Sequence, residues 1–136
     1  MRGLLSFAVA LVAGLTLLVP AAVADRKPSK AERSAIERVG LEVCGSPPGG
    51  CTFHGARVST RNARFAWADV TGEGFSGALV KRPTRRSHRF RVVGTQGGGI
   101  GECSYWRKRA PRAVLRDLRI RGLVASGDVR NCGKRR

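Results

Sequence analysis

Three consecutive segments between residues 57 and 94 alternate their side chains with a period of two, and nothing else in the sequence constrains the fold so tightly. In ARFAWADV (63–70), Phe65 and Trp67 fall on one side of an extended strand, interleaved with alanines, and Asp69 shares their side near the strand's end. TGEG (71–74) reads as a turn. Beyond it Phe75, Gly77 and Leu79 alternate with Ser76, Ala78 and Val80 on two nearly equivalent faces, the pattern of a strand covered on both sides. After a basic loop around Pro83 (81–87), residues 88–94 set Phe90 and Val92 against Arg89 and Arg91. Residues 56–60, with Val58, supply a fourth strand, and Phe65, Trp67, Phe75, Leu79, Phe90 and Val92 are the expected buried side. A sheet of this size needs cover, and the flanking helices provide it. The expected fold class is α+β: a small antiparallel sheet of about four strands covered by two short helices and stapled by disulfides.

Both helices carry their own punctuation. Ser29-Lys30-Ala31-Glu32 is a capping box, in which the serine side chain accepts from the third helical amide and the glutamate reaches back to the cap amide. Ala31, Ala35, Ile36 and Val39 then form one face, and Gly40 stands where a left-handed stop is expected; Lys30, Arg33, Glu37 and Arg38 form the solvated face. Pro111 opens the second helix, with Val114, Leu115 and Leu118 inward and Arg112, Arg116 and Arg119 outward around a single acid, Asp117. Ile120, Leu123 and Val124 either add a last strand or pack as coil.

The first 24 residues have the form of a secretory signal: Arg2, an apolar run over 4–19, and Ala22-Val23-Ala24 as the cleavage site. That run is too short and too interrupted for a spanning helix, and no later segment is apolar enough to span. The 136 residues less the 24-residue leader leave 112, enough for one domain. The expected organisation is a signal peptide (1–24), a flexible leader (25–28), one α+β domain (29–132) and a basic tail (133–136), in a secreted protein, extracellular or associated with the cell wall. Cys44, Cys51, Cys103 and Cys132 all follow the leader, an even count suited to an oxidising compartment. Of the three possible pairings, Cys44–Cys51 and Cys103–Cys132 are expected, since the first pair flanks the turn-forming GSPPGG and the second ties down the tail. There is no CxxC, and His54 is the only histidine near a cysteine, so neither a metal site nor a cofactor is expected.

Charge points to the function class. Without Arg2 the chain carries 25 basic residues against 9 acids, a net +16, and such a field attracts polyanions. Arg82, Arg85, Arg86, Arg89 and Arg91 occupy one loop and the strand after it, while Arg107, Lys108, Arg109, Arg112 and Arg116 precede and line the second helix. Arginine presents a planar fork to phosphate or carboxylate. The expected partners are therefore anionic polymers or the cell-envelope surface: envelope phosphates and uronates, anionic headgroups, extracellular nucleic acid. Tyr105 and Trp106 are the aromatics placed to stack on bases or sugar rings, and the protein is expected to act as a monomer. Two other readings stand beside this one. The stapled loop between Cys44 and Cys51 suits an inhibitor or protein-interaction module with an unidentified protein partner. His54 and His88, with Glu73 or Glu102 as alternative base, suit a small ribonuclease-like hydrolase. No serine lies in a GxSxG elbow, and TQGGGIG (95–101) lacks the GK[ST] ending of a phosphate-binding loop.

FAWADV (65–70), FRVVG (90–94), GIGEC (99–103) and PRAVLRDL (111–118) follow a signal peptide and a short helix. Over roughly residues 56–118 this layout resembles that of small exported actinobacterial proteins of uncharacterised function. The resemblance implies secretion and an α+β domain, and it implies no site residue.

Overall fold

The computed structural model describes residues 25–45 and 50–135. The expected signal peptide (1–24), the centre of the CGSPPGGC loop (46–49) and Arg136 lie outside the described residues.

The alternating block folds as an antiparallel sheet. β1 (Asp25–Arg26), β2 (Cys51–Ser59), β3 (Phe65–Gly72), β4 (Phe75–Lys81) and β5 (Arg91–Gly97) stand in sequence order, so β5 forms one edge. β1 takes up the first two residues of the expected leader (25–28): Asp25 pairs with Ser59 and Arg26 with Val58. Alternation along β3 sends Phe65 and Trp67 into one apolar cluster and Ala66, Ala68 and Val70 into another. The sheet is therefore buried on both faces. The residues expected on one side divide accordingly: Leu79 joins Trp67, its cross-strand partner, while Val92 lies opposite Val80 and joins the other cluster with Phe90. Phe75 is half-buried.

One face is covered by α1 (Lys30–Glu42), whose capping box is complete: the Glu32 N–H donates to Ser29 Oγ at 3.2 Å and the Ser29 N–H to Glu32 Oε2 at 2.8 Å. Gly40 does not end this helix. A Cβ there would stand 3.0 Å from Val70 Cγ2 and 3.1 Å from Ala68 Cβ, so the glycine lets the helix approach the alanine side of β3. The other face is covered by α2 (Cys103–Arg107) and α3 (Arg112–Asp117). The sequence showed no α2, since five residues are too few to display a helical period. Pro111 caps α3 instead of opening it. The Trp106 ring meets Trp67 edge to face at 5.6 Å, with Val114, Leu115 and Leu118 around them. Opposite them, Gly77 has no room for a side chain because the Trp67 indole lies across it.

The segment after α3 forms a separate antiparallel hairpin, β6 (Arg121–Leu123) with β7 (Val129–Asn131). Both expected disulfides are present, Cys44–Cys51 and Cys103–Cys132. Asp117, the lone acid of α3, is only 4 % exposed. It accepts the Ser59 hydroxyl at 2.6 Å, the Thr60 N–H at 2.7 Å and the Arg61 N–H at 3.2 Å, which ties α3 to the loop leaving β2.

Candidate polyanion-binding surface

Nine acids cannot neutralise this chain, and the structure uses the best-placed ones internally. Glu32 is 6 % exposed and takes Arg26 in two hydrogen bonds of 2.8 Å each and Arg82 in a third of 2.9 Å. The Arg26 contact foremost, with help from the Ser29 amide and Arg82, holds its carboxyl well below the usual carboxylate range against the opposing effect of burial.

Arg82 belongs to this network and not to the binding surface. It is 1 % exposed, donates to the carbonyls of Ala63 at 2.9 Å and Ser87 at 3.1 Å, and lies 4.9 Å from the Phe90 ring centre. Every arm of the guanidinium has a partner, which is the condition for burying a charge. Its contact with Ser87 draws the basic loop back onto the domain, and Arg85, Arg86 and Arg89 remain exposed along it. Arg64, Lys81, Arg89 and Arg91 line an open cleft of about 390 Å³ beside that loop.

The second basic run lies on and after α2. Lys108, Arg112 and Arg116 are exposed, while Arg107 is half-buried and donates through Nε to the Cys132 carbonyl at 3.1 Å. Arg109 lies over the Tyr105 ring at 3.4 Å and donates to the Tyr105 carbonyl at 2.8 Å. This corrects the stacking pair. Trp106 is 1 % exposed, packed between Trp67 and Tyr105, and cannot receive a base or sugar ring. Tyr105 is half-buried, with one ring face taken by Arg109 and its hydroxyl accepting the Thr95 N–H at 3.1 Å. The aromatic pair closes the core where the sequence suggested a stacking platform.

A third cationic region joins Lys134 and Arg135 of the expected basic tail to hairpin cations that lie outside both basic runs. Arg107, Arg130, Lys134 and Arg135 line one open cleft of about 350 Å³, and Arg119, Arg121, Arg130 and Lys134 line another of about 460 Å³. The β6–β7 hairpin stands between them. Arg119 and Arg121, two apart before Leu123, and the SGD turn at 126–128 were the available signals of a basic hairpin.

Ion pairing separates the architectural cations from the rest. Among the described residues, the salt bridges involve Arg26, Arg57, Arg82, Arg119 and Arg130. Arg85, Arg86, Arg89, Arg91, Arg107, Lys108, Arg109, Arg112 and Arg116 have no carboxylate within 4.0 Å in that set. Asp128 accepts from the Ser126 hydroxyl at 2.9 Å and from Arg130 at 3.0 Å, and these two contacts, the hydroxyl foremost, lower its pKa.

The two histidines are not brought together. His54 is exposed on β2 with Nε2 2.6 Å from Thr71 Oγ1, at the Gly72 end of β3. His88 precedes Arg91, which pairs with Lys81, itself opposite Phe65 at the other end of β3. At about 3.3 Å per residue the two ends of this eight-residue strand are roughly 23 Å apart, too far for a shared acid–base step. Glu102 accepts from the Ser104 hydroxyl at 2.9 Å and meets neither imidazole. Among the described residues no three His, Cys, Asp or Glu side chains gather as a metal site, and no helix is long and apolar enough to cross a membrane.

The chain matches no family model, no curated protein and no solved structure.

Proposed function

We propose that this is an exported small cationic domain that binds anionic envelope or extracellular polymers, rich in phosphate or uronate, without catalysing a reaction on them. One observation carries the reading: nine of the ten cations singled out in the sequence lack an acidic partner within 4.0 Å among the described residues, and the tenth, Arg82, is buried. A cation whose charge no internal carboxylate neutralises keeps its attraction for an external anion. Several such cations along one polymer release condensed counterions on binding. Export is supported by the signal-like leader and by two disulfides with no free cysteine among the described residues.

The test is retention of the mature protein on phosphate-bearing and carboxylate-bearing matrices across a salt series. Affinity should fall linearly in log salt, with a slope near −0.7 to −0.9 per phosphate engaged. Replacing Arg85, Arg86 and Arg89 by glutamate should make that slope shallower without unfolding the sheet. Retention that persists unchanged in high salt would overturn the reading.

A further inference from the structure

We propose that the cleft between α2 and the β6–β7 hairpin is a phosphate-selective subsite, and that the Cys103–Cys132 disulfide is the fastener that assembles it. The proposal rests on the polyanion reading above and adds a preferred ligand and a dependence on one covalent bond.

The cleft has two walls from distant parts of the chain. Arg107, the last residue of α2, stands on one; Arg130, Lys134 and Arg135 come from β7 and the segment after it. Ser126 and Asn131 add neutral polar groups to the lining. Cations on opposing walls match an anion with acceptors in several directions. A tetrahedral phosphate presents oxygens to both walls at once, whereas a carboxylate presents two in a single plane and engages one fork. Phosphate therefore gains more from this arrangement than uronate does.

Cys103 opens α2, and Cys132 directly follows β7. Their disulfide and the Arg107 Nε–H bond to the Cys132 carbonyl at 3.1 Å join the two walls. On the hairpin side the tail is set by the Cys132 N–H donating to the Ile120 carbonyl at 2.8 Å. Gly133 seats it further, since a side chain there would strike the Arg112 carbonyl and the Arg116 amide. Cutting the disulfide would leave the tail attached to α3 and β6, and β6 to the segment before α2 through the Leu123 N–H bond to the Gly101 carbonyl at 2.9 Å, but the Arg107 bond to Cys132 would lose its covalent support, so that Arg107 is no longer held firmly against Arg130 and Lys134. Asp128 is the acid beside the hairpin, and its contact with Arg130 at 3.0 Å competes with an incoming anion.

The experiment uses the mature oxidised chain, with inorganic phosphate, poly(glycerol phosphate) and polygalacturonate of matched charge density as probes in calorimetric titrations at one ionic strength. The phosphate polymer should bind about tenfold tighter than the uronate, the gain of one additional charge-assisted hydrogen bond. Inorganic phosphate should compete with the polymer for the native chain. Arg130→Gln with Lys134→Gln, both at exposed positions, should abolish this preference and leave equal, weaker binding to both polymers. Asp128→Asn should increase it. Cys103→Ser with Cys132→Ser should lose the preference while far-ultraviolet dichroism still reports the sheet; if that variant unfolds, the glutamine pair decides. A native chain that binds both polymers equally, or a glutamine pair that keeps the preference, would overturn the subsite and leave the general reading intact. A native chain that binds neither polymer overturns both.

Discussion

The two faces of the central sheet solve the same packing problem by opposite means. Toward α1 the sheet presents Ala66, Ala68, Ala78 and Val80, small enough for a helix carrying Gly40 to lie close, and the end of this face is locked by Glu32 between Arg26 and Arg82. Toward α2 and α3 it presents Phe65, Trp67 and Leu79, which meet Trp106 and a disulfide. The first face depends on close approach and a buried charge network, the second on aromatic volume and a covalent bond. The difference also decides where cations are free. The α1 side absorbs Arg26 and Arg82, whereas α2, α3 and the hairpin send Lys108, Arg112, Arg116 and Arg121 outward.

The most severe way to break this contrast is Glu32→Gln, which leaves Arg82 buried without a countercharge. About 3–5 kcal/mol of stability should be lost, read as a fall in the urea midpoint. A loss below about 1 kcal/mol would mean that close packing alone holds the α1 face. The same substitution changes the acid limb. Because the folded carboxyl is held below its unfolded value of about 4.3, its contribution is complete above that pH and is lost as pH falls toward the folded value. Dichroism between pH 6 and pH 2 should therefore show a steeper loss of stability in the native chain than in the glutamine variant.

On the other face, opening Cys103–Cys132, with a sequence separation of 29, should cost about 3.6 kcal/mol from loop entropy. Opening Cys44–Cys51, with a separation of 7, should cost about 2.5 kcal/mol. Urea titrations of the two serine double variants test the ranking, and a larger loss at the shorter loop would place the main covalent dependence beside α1. The smallest effect expected is at Asp117→Asn: the amide retains one acceptor oxygen for the Ser59 and Thr60 groups, so about 1–2 kcal/mol should be lost. Thermal unfolding of that variant shows whether α3 is held by this carboxylate or by Val114, Leu115 and Leu118 alone.

Short-range patterns were legible in the sequence and long-range partnerships were not. Alternation in ARFAWADV placed Phe65 and Trp67 on one side of β3, Ser29 and Glu32 announced the helix start, and the turn residues inside CGSPPGGC paired Cys44 with Cys51. β1 escaped because two residues have no period, and its pairing with β2 joins positions more than 30 residues apart. Arg82 looked like its exposed neighbours because two of its three acceptors, Ala63 and Glu32, are 19 and 50 residues distant. Trp106 looked like a stacking group because basic residues surround it in sequence, whereas in space its neighbours are Trp67 and Tyr105. Arg121 and Arg130 did not stand out as hairpin cations because β6 and β7 have three residues each, too few to separate a strand from a tail.

β5 has an unpaired edge, the kind of strand on which a second copy of a chain could build. Here one of its amides, that of Thr95, is taken by the Tyr105 hydroxyl, and Arg89 and Arg91 stand exposed where the strand begins. Two copies approaching edge to edge would bring like charges together along the line where backbone pairing would have to start. On the proposed reading, the arginines that would draw a polyanion in would also oppose edge-to-edge pairing of two copies, so that one charged surface would favour both adhesion and solubility.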